Sequence, residues 1–296
     1  MSIVSFERVT RAYRKGQPVL EDVSFRVEPG EVVGLLGANG AGKTTLLQLA
    51  MGLLAPQAGA LRVFDVDPRR GPLAVKRRVG FVAEDQVLPE FLRVDEVLRL
   101  HRGLFPDWDD ALAAELSRRF ALDPGARVKQ LSKGQARQVA LLCAVAHRPP
   151  LLILDEPAGG LDPAVRREFL ETAIQLLNES GSTILFSSHH MGDVERLADR
   201  VLMLHGARVL IDQPLDALRE SFSLVLLPAG GHDPAALQGL PGCLAARRVG
   251  ESLHAVFQLE PEAARAAVSA GLGDRAVRAS NLPLEEMFVE LVGGRA

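Results

Sequence analysis

The stretch GANGAGKT at residues 37–44 limits what this chain can fold into more than any other. It fits the G-x-x-x-x-G-K-[ST] phosphate loop, follows a continuous apolar run that starts at Val32, and opens a helical pattern reaching about Leu53. An apolar run of that kind is a strand buried on both faces, which belongs in a parallel sheet flanked by crossover helices. The motif therefore predicts an α/β fold. Its chemistry is equally narrow. Backbone amides of Gly37, Ala38, Asn39, Gly40, Ala41 and Gly42 cradle phosphates at a helix start, with Thr45 beside them. Lys43 reaches the outer phosphates as a point charge, and the Thr44 hydroxyl is placed to hold Mg2+.

Strand patterns precede this motif at residues 3–9 and 19–27, and another strand pair is expected at 61–66 and 79–83. Residues 94–121 turn helical, as an insertion within the α/β alternation. The alternation resumes with LLILDE at 151–156, a helix over 162–179, STILFSS at 182–188, a short helix and closing strands through Ile211. The first domain is expected to end near Ser221. Beyond it, strands at 222–227, near Leu244, near Leu253 and at 276–279 alternate with helices at 234–240, 261–272 and 284–292. That order predicts a small α+β domain over 222–296.

Composition narrows the partners. The formal net charge of −3 gives no sign of nucleic acid, and the basic run at 69–78 reads as a solvated face. Cys143 and Cys243 are too few for a disulfide framework, which suits a cytosolic chain. The N-terminus alternates like a strand and shows no basic start followed by an apolar run. No apolar stretch approaches the roughly 18 residues of a membrane helix, so work at a membrane requires other chains to span it.

Two further motifs carry chemistry. LLILDE delivers Asp155 and Glu156 at the end of a buried strand, where alternation sends them to opposite sides. Asp155 suits the Mg2+ shell, and Glu156 suits orienting or deprotonating an attacking water. LSKGQ at 131–135 reads as a helix start, with Ser132 as cap and Gln135 closing a capping box. Such a start is a second phosphate-binding position, with Gly134 permitting close backbone approach.

Taken together, the phosphate loop, LSKGQ, LLILDEP, GGLDP at 159–163 and SSHH at 187–190 resemble ATP-binding cassette (ABC) proteins in order and spacing. The resemblance covers about the first 220 residues. It implies a P-loop NTPase core with a helical subdomain at about 85–140, working as a head-to-tail pair, most simply a homodimer, around two ATP molecules. In such a pair the signature residues Ser132, Gly134 and Gln135 cap the γ-phosphate of ATP held by the other subunit. The resemblance also implies that Tyr13 lies against adenine, that His189 touches the γ-phosphate, and that Asp162 faces the opposite subunit. His190 reads as a solvated or packing residue. Asp162 also reads as an ordinary helix cap.

Two positions depart from the family pattern. Lys133 replaces the first of two usual glycines, either adding a cation near phosphate or simply facing solvent. Glu84 stands where a glutamine is usual, with Gln86 two residues on, and a carboxylate there can ligate Mg2+. Trp108 lies in the helical insertion, where the family meets its membrane partner, and also fits plain packing between helices.

The resemblance implies the ATPase subunit of a transporter, peripheral on the cytoplasmic face of the membrane and driving separate membrane-spanning chains. LSKGQ, SSHHMGDVE and the end NLPLEEMFVELV look most like the exporter-type branch. The rival readings are a soluble cassette ATPase of translation or DNA maintenance and a nucleotide-gated regulator of a membrane sensor. Against the soluble class, one cassette is present, and the stretch before LSKGQ has neither long heptads nor cysteine pairs.

Overall fold

A computed structural model describes residues 1–85, 88–230, 232–273 and 277–293. Gln86 lies outside the described residues. In chain order the first part holds β1 (Val4–Arg14), β2 (Gln17–Val27), β3 (Val32–Leu36), α1 (Lys43–Ala50), β4 (Ala58–Val63), α2 (Pro72–Lys76) and β5 (Val79–Val82). It continues with α3 (Val94–Leu104), α4 (Asp110–Arg119), a 3-10 turn at Val128–Gln130, α5 (Lys133–Val145), β6 (Leu151–Leu154) and α6 (Pro163–Ser180). β7 (Thr183–Ser188), α7 (Met191–Leu197), β8 (Arg200–His205) and β9 (Arg208–Pro214) complete it.

The six-stranded sheet runs β5-β6-β7-β3-β8-β9, and the strands from β5 to β8 are parallel. β3 is central and buried at all of its residues, as its apolar run predicts. Its register pairs Leu36 with Ser188 of β7, while Leu154 of β6 lies between Val82 of β5 and Phe186 of β7. Parallel register thus gathers the carboxyl ends of β5, β6, β7 and β3 along one edge, the usual ligand edge of an open α/β sheet.

A second sheet, β2-β1-β4, is antiparallel. Phe6 stacks on Phe25 across it, with ring centroids 4.6 Å apart. Leu46, Leu47 and Leu49 of α1 join both sheets in one core with Leu35, Ile153 and Leu185. The strands expected to pair with each other, at 61–66 and 79–83, do not. β4 pairs with β1, and β5 pairs with β6. Phe64 and Asp65 take φ of 52° and 62°, which ends β4 at Val63 and turns the chain out of that sheet.

The helical stretch at 94–121 is two helices. Pro106 holds the residue before it extended, at φ −118° and ψ 108° for Phe105, so α3 stops. The Asp109 carboxylate then accepts from the Leu112 N–H at 2.9 Å and starts α4. Trp108 is partly buried in this connection. Cys143 is buried on α5.

The chain divides into compact units at Met1–Asp212 and Gln213–Ala296. The division falls before α8 (Leu215–Glu220) rather than after Ser221, because that helix groups with the second unit. The second unit continues with β10 (Ser223–Pro228), α9 (Pro234–Gln238), β11 (Cys243–Val249), β12 (Ser252–Phe257), α10 (Pro261–Leu272), β13 (Arg278–Asn281) and α11 (Leu284–Gly293). Of the strand expected at 276–279, Ala276 lies outside the described residues. The sheet order β11-β12-β10-β13 with antiparallel pairing is a split βαβ arrangement. Val225, Leu227, Leu253 and Phe257 pack with Leu237 of α9 and Val268 of α10 in its own core.

Gly80 of β5 fixes how closely α5 approaches the large sheet. A Cβ there would stand inside contact distance of the Ala144 carbonyl oxygen and 2.8 Å from Leu152 Cδ1. Gly80→Ala should therefore cost about 1–3 kcal/mol in urea unfolding of the full chain. An unchanged midpoint would refute this close approach.

Candidate functional site

The phosphate loop leaves β3 after Leu36 and enters α1 through Gly42, whose φ of 104° is open to glycine. A Cβ at Gly42 would lie 2.7 Å from the Val19 carbonyl oxygen, so the loop also packs too tightly there for a side chain. Lys43 is buried, and its Nζ donates to the carbonyl oxygen of Gly37 at 2.8 Å and of Ala38 at 3.4 Å. The same Nζ stands 3.4 Å from Glu156 Oε1, and both side chains are 7% exposed. A cavity of about 400 Å3 opens over this pair. Asn39, Gly40, Gly42, Lys43, Thr44 and Thr45 line one side, and Tyr13, Glu84 and Glu156 line the other. The Tyr13 hydroxyl lies 3.1 Å from Thr45 Oγ1, leaving the ring 60% exposed at the mouth.

The carboxylates enter from the neighbouring strand ends. Asp155 and Glu156 follow β6, and Ser187 at the end of β7 ties them together. Its hydroxyl donates to Asp155 Oδ1 at 2.7 Å and accepts from the Glu156 N–H at 2.8 Å. Glu156 takes φ 43°, a left-handed conformation that a non-glycine residue adopts at a cost. His189, just past β7, places Nδ1 2.7 Å from Glu156 Oε2 and donates its backbone N–H to the same oxygen at 3.2 Å. The His190 ring lies tilted against that of His189, with centroids 4.0 Å apart.

Charge in this region is unbalanced. Burial raises the Asp155 pKa, with Glu156 adding to the shift, while bonds from the Ser187 and Thr44 hydroxyls and the charge of Lys43 oppose it. Burial also raises the Glu84 pKa, and the charges of Asp155, Glu156 and Asp85 push the same way. Lys43 is the opposing cation in both cases. Oε1 of Glu156 is buried without a hydrogen bond. Hard oxygen donors from Thr44, Asp155 and Glu84, crowded by like charge, fit Mg2+. Among the described residues no three His, Cys, Asp or Glu side chains form a metal site alone. Mg2+ bound with a nucleotide takes only one or two carboxylates and completes its shell from phosphates and water.

The signature residues are elsewhere. Ser132 caps α5, its Oγ accepting from the Gln135 N–H at 3.1 Å while Gln135 Oε1 accepts from the Ser132 N–H at 3.0 Å. The predicted capping box is present. Gly134 faces Val165 at the start of α6, with only 3.0 Å from an added Cβ to Val165 Cγ1. Asp162 caps that helix, accepting from the Val165 N–H at 3.2 Å. Lys133 is exposed, and its ammonium reaches across to Gly160. None of Ser132, Gly134, Gln135 or Asp162 lines the phosphate-loop cavity.

Three residues escaped the sequence reading. Ser187 had a visible signal, as a small polar residue ending a buried strand. Val19, which lines the cavity, looked like any strand apolar residue. Arg137, a buried arginine on α5, had no local signal, because its partners are backbone carbonyls more than fifty residues away.

The profile of the family described as ABC transporter matches residues 20–159. The Nod factor export ATP-binding protein I of Rhizobium etli is 35% identical, over 99% of this chain and 94% of its own. The ABC transporter ATP-binding protein NatA of Bacillus subtilis is 38% identical, over 70% of this chain and 87% of its own. A solved structure of an ATP-binding subunit of an ABC transporter matches with a TM-score of 0.66 and 33% identity, covering 74% of this chain and 92% of that one. The P-loop NTPase fold, the cavity at its sheet edge and relatives of this identity agree: this chain belongs to the ABC transporter family, as an ATP-hydrolysing nucleotide-binding subunit.

Proposed function

We propose that two copies of this chain close head to tail around two ATP molecules and drive separate membrane-spanning chains of an exporter. The observation that carries the reading is the separation of the site into halves. Lys43, Thr44, Glu84 and Glu156 line one cavity and Thr44 bonds the Asp155 carboxylate beside it, whereas Ser132, Gly134, Gln135 and Asp162 do not line it. A helix start that binds phosphate but faces none in its own chain is explained by a second chain. Export rests on the likeness to the Nod factor export protein of Rhizobium etli, which aligns over both units of this chain.

Each residue then has a role. Lys43 leaves the carbonyls of its own loop for the outer phosphates, and Tyr13 lies against adenine at the cavity mouth. Thr44, Asp155 and Glu84 would hold Mg2+, which would neutralise charge on the phosphates. Glu156 takes the proton of the attacking water, and His189 fixes the direction of that carboxylate and reaches the γ-phosphate. Hydrolysis removes the γ-phosphate shared between chains, and the pair reopens.

A membrane-chain partner finds support in a groove of about 230 Å3 lined by Val79, Phe81, His101, Leu104, Phe105 and His147. Leu104 of α3, which lines this groove, is 60% exposed, and Leu100 on the same helix is 49% exposed. Among the described residues no helix is long and apolar enough to cross a membrane. In the exporter reading the chain sits peripherally, on the cytoplasmic face.

Glu156→Gln should retain ATP binding, lose about 10²–10⁴-fold in turnover and form an ATP-dependent dimer by light scattering. Rapid turnover in that variant removes Glu156 as the base. Lys43→Ala and Ser132→Arg should each be inactive alone. Their purified mixed dimer should recover ATPase activity at its one intact composite site, and an inactive mixed dimer rules out sharing. Export requires membrane-spanning chains that co-purify with this one and move cargo outward.

A further inference from the structure

We propose that Arg137 is a positioning residue that ties the placement of Glu84 in one ATP site to the placement of the signature turn in the other. The proposal rests on the shared-site reading above. Arg137 is 7% exposed, rare for an arginine, and its guanidinium is spent on backbone. It donates to the carbonyl oxygen of Ala83 at 2.5 Å and to that of Glu84. These carbonyls belong to the chain just beyond β5, where the strand pairing with β6 ends at Val82. A planar guanidinium with two donors engaged holds two consecutive carbonyls in a fixed orientation, which an ammonium does not do.

Glu84 itself turns into the phosphate-loop cavity. Its carboxylate feels Asp155, Glu156 and Lys43. The grip of Arg137 on the Glu84 backbone therefore sets where that carboxylate stands. Burial lowers the Arg137 pKa, and the charges of Asp85, Glu84 and Asp155 oppose the shift.

At its N-terminus the same helix carries the signature. Ser132 is five residues before Arg137, about 7.5 Å along the axis of α5. The helix runs without a break from Lys133 to Val145, and Gly80 lets its far end lie directly on β5. A shift of Glu84 on nucleotide binding would thus act on α5 through one buried side chain. The signature turn, which serves the other ATP, moves with it.

The test places Arg137→Met in one chain or the other of the Lys43→Ala and Ser132→Arg mixed dimer. The intact site takes Lys43 and Glu84 from the Ser132→Arg chain and its signature from the Lys43→Ala chain. Coupling predicts about a tenfold fall in kcat, with KM for ATP within about threefold, in both placements. A fall in one placement alone overturns the coupling, since Arg137 then serves one half-site only. No fall in either placement overturns any positioning role. Equal thermal midpoints of the full chains separate positioning from lost stability. If Arg137→Met does not fold, Arg137→Lys, which keeps the charge and one of the two bonds, decides by the same comparison with about a threefold fall. A mixed dimer that is inactive with both copies of Arg137 in place instead overturns the shared-site reading, and the proposal with it.

Discussion

Everything at the candidate site depends on the parallel pairing of β3 with β7 and of β6 with both β5 and β7. Strand direction alone decides that the phosphate loop, the paired carboxylates, the Ser187 hydroxyl and Glu84 all emerge along one edge. An antiparallel partner inserted at any of these places would send one of those groups to the far side of the sheet. Gly34 of β3 pins the register, because an added Cβ there would lie 2.6 Å from Val194 Cγ1 of α7 and a one-residue slip would press a larger side chain against that helix.

Electrostatics works against that convergence. Asp155, Glu156 and Glu84 lie close together around one ammonium, and burial and mutual repulsion push the Asp155 and Glu84 pKa values upward. Such a site is poorly satisfied by protein alone and favours ligands that bring positive charge together with phosphate. The backbone of the phosphate loop supplies the matching preference for anions. Nucleotide and metal are thus complementary to the site only as a pair.

Much of this was legible in the sequence because the groups involved are local. The strand, glycine turn and helix around Lys43 occupy consecutive residues, as do the carboxylates ending β6 and the capping box of Ser132 and Gln135. What was not legible depends on partners far apart in the chain. The positive φ of Phe64 and Asp65, which sends β4 to β1 instead of β5, has no pattern of its own. Arg137 reads as an ordinary helix residue until Ala83 and Glu84 are brought beside it. Lys133 was open between two readings, and its exposed stem with an ammonium against Gly160 combines surface position with a specific neighbour.

The left-handed backbone at Glu156 has a consequence for how variants at that position should be read. The strain belongs to the main chain, fixed by Ser187 and the end of β6, so glutamine or alanine inherits it much as glutamate does. Exchanging the carboxylate for an amide or a methyl leaves the backbone cost untouched and isolates the chemistry of the head group. Glycine would relax the turn as well as remove the acid, and would mix a gain in conformational freedom with a loss of reactivity. The position therefore separates side-chain function from main-chain energy, provided glycine is kept out of the series.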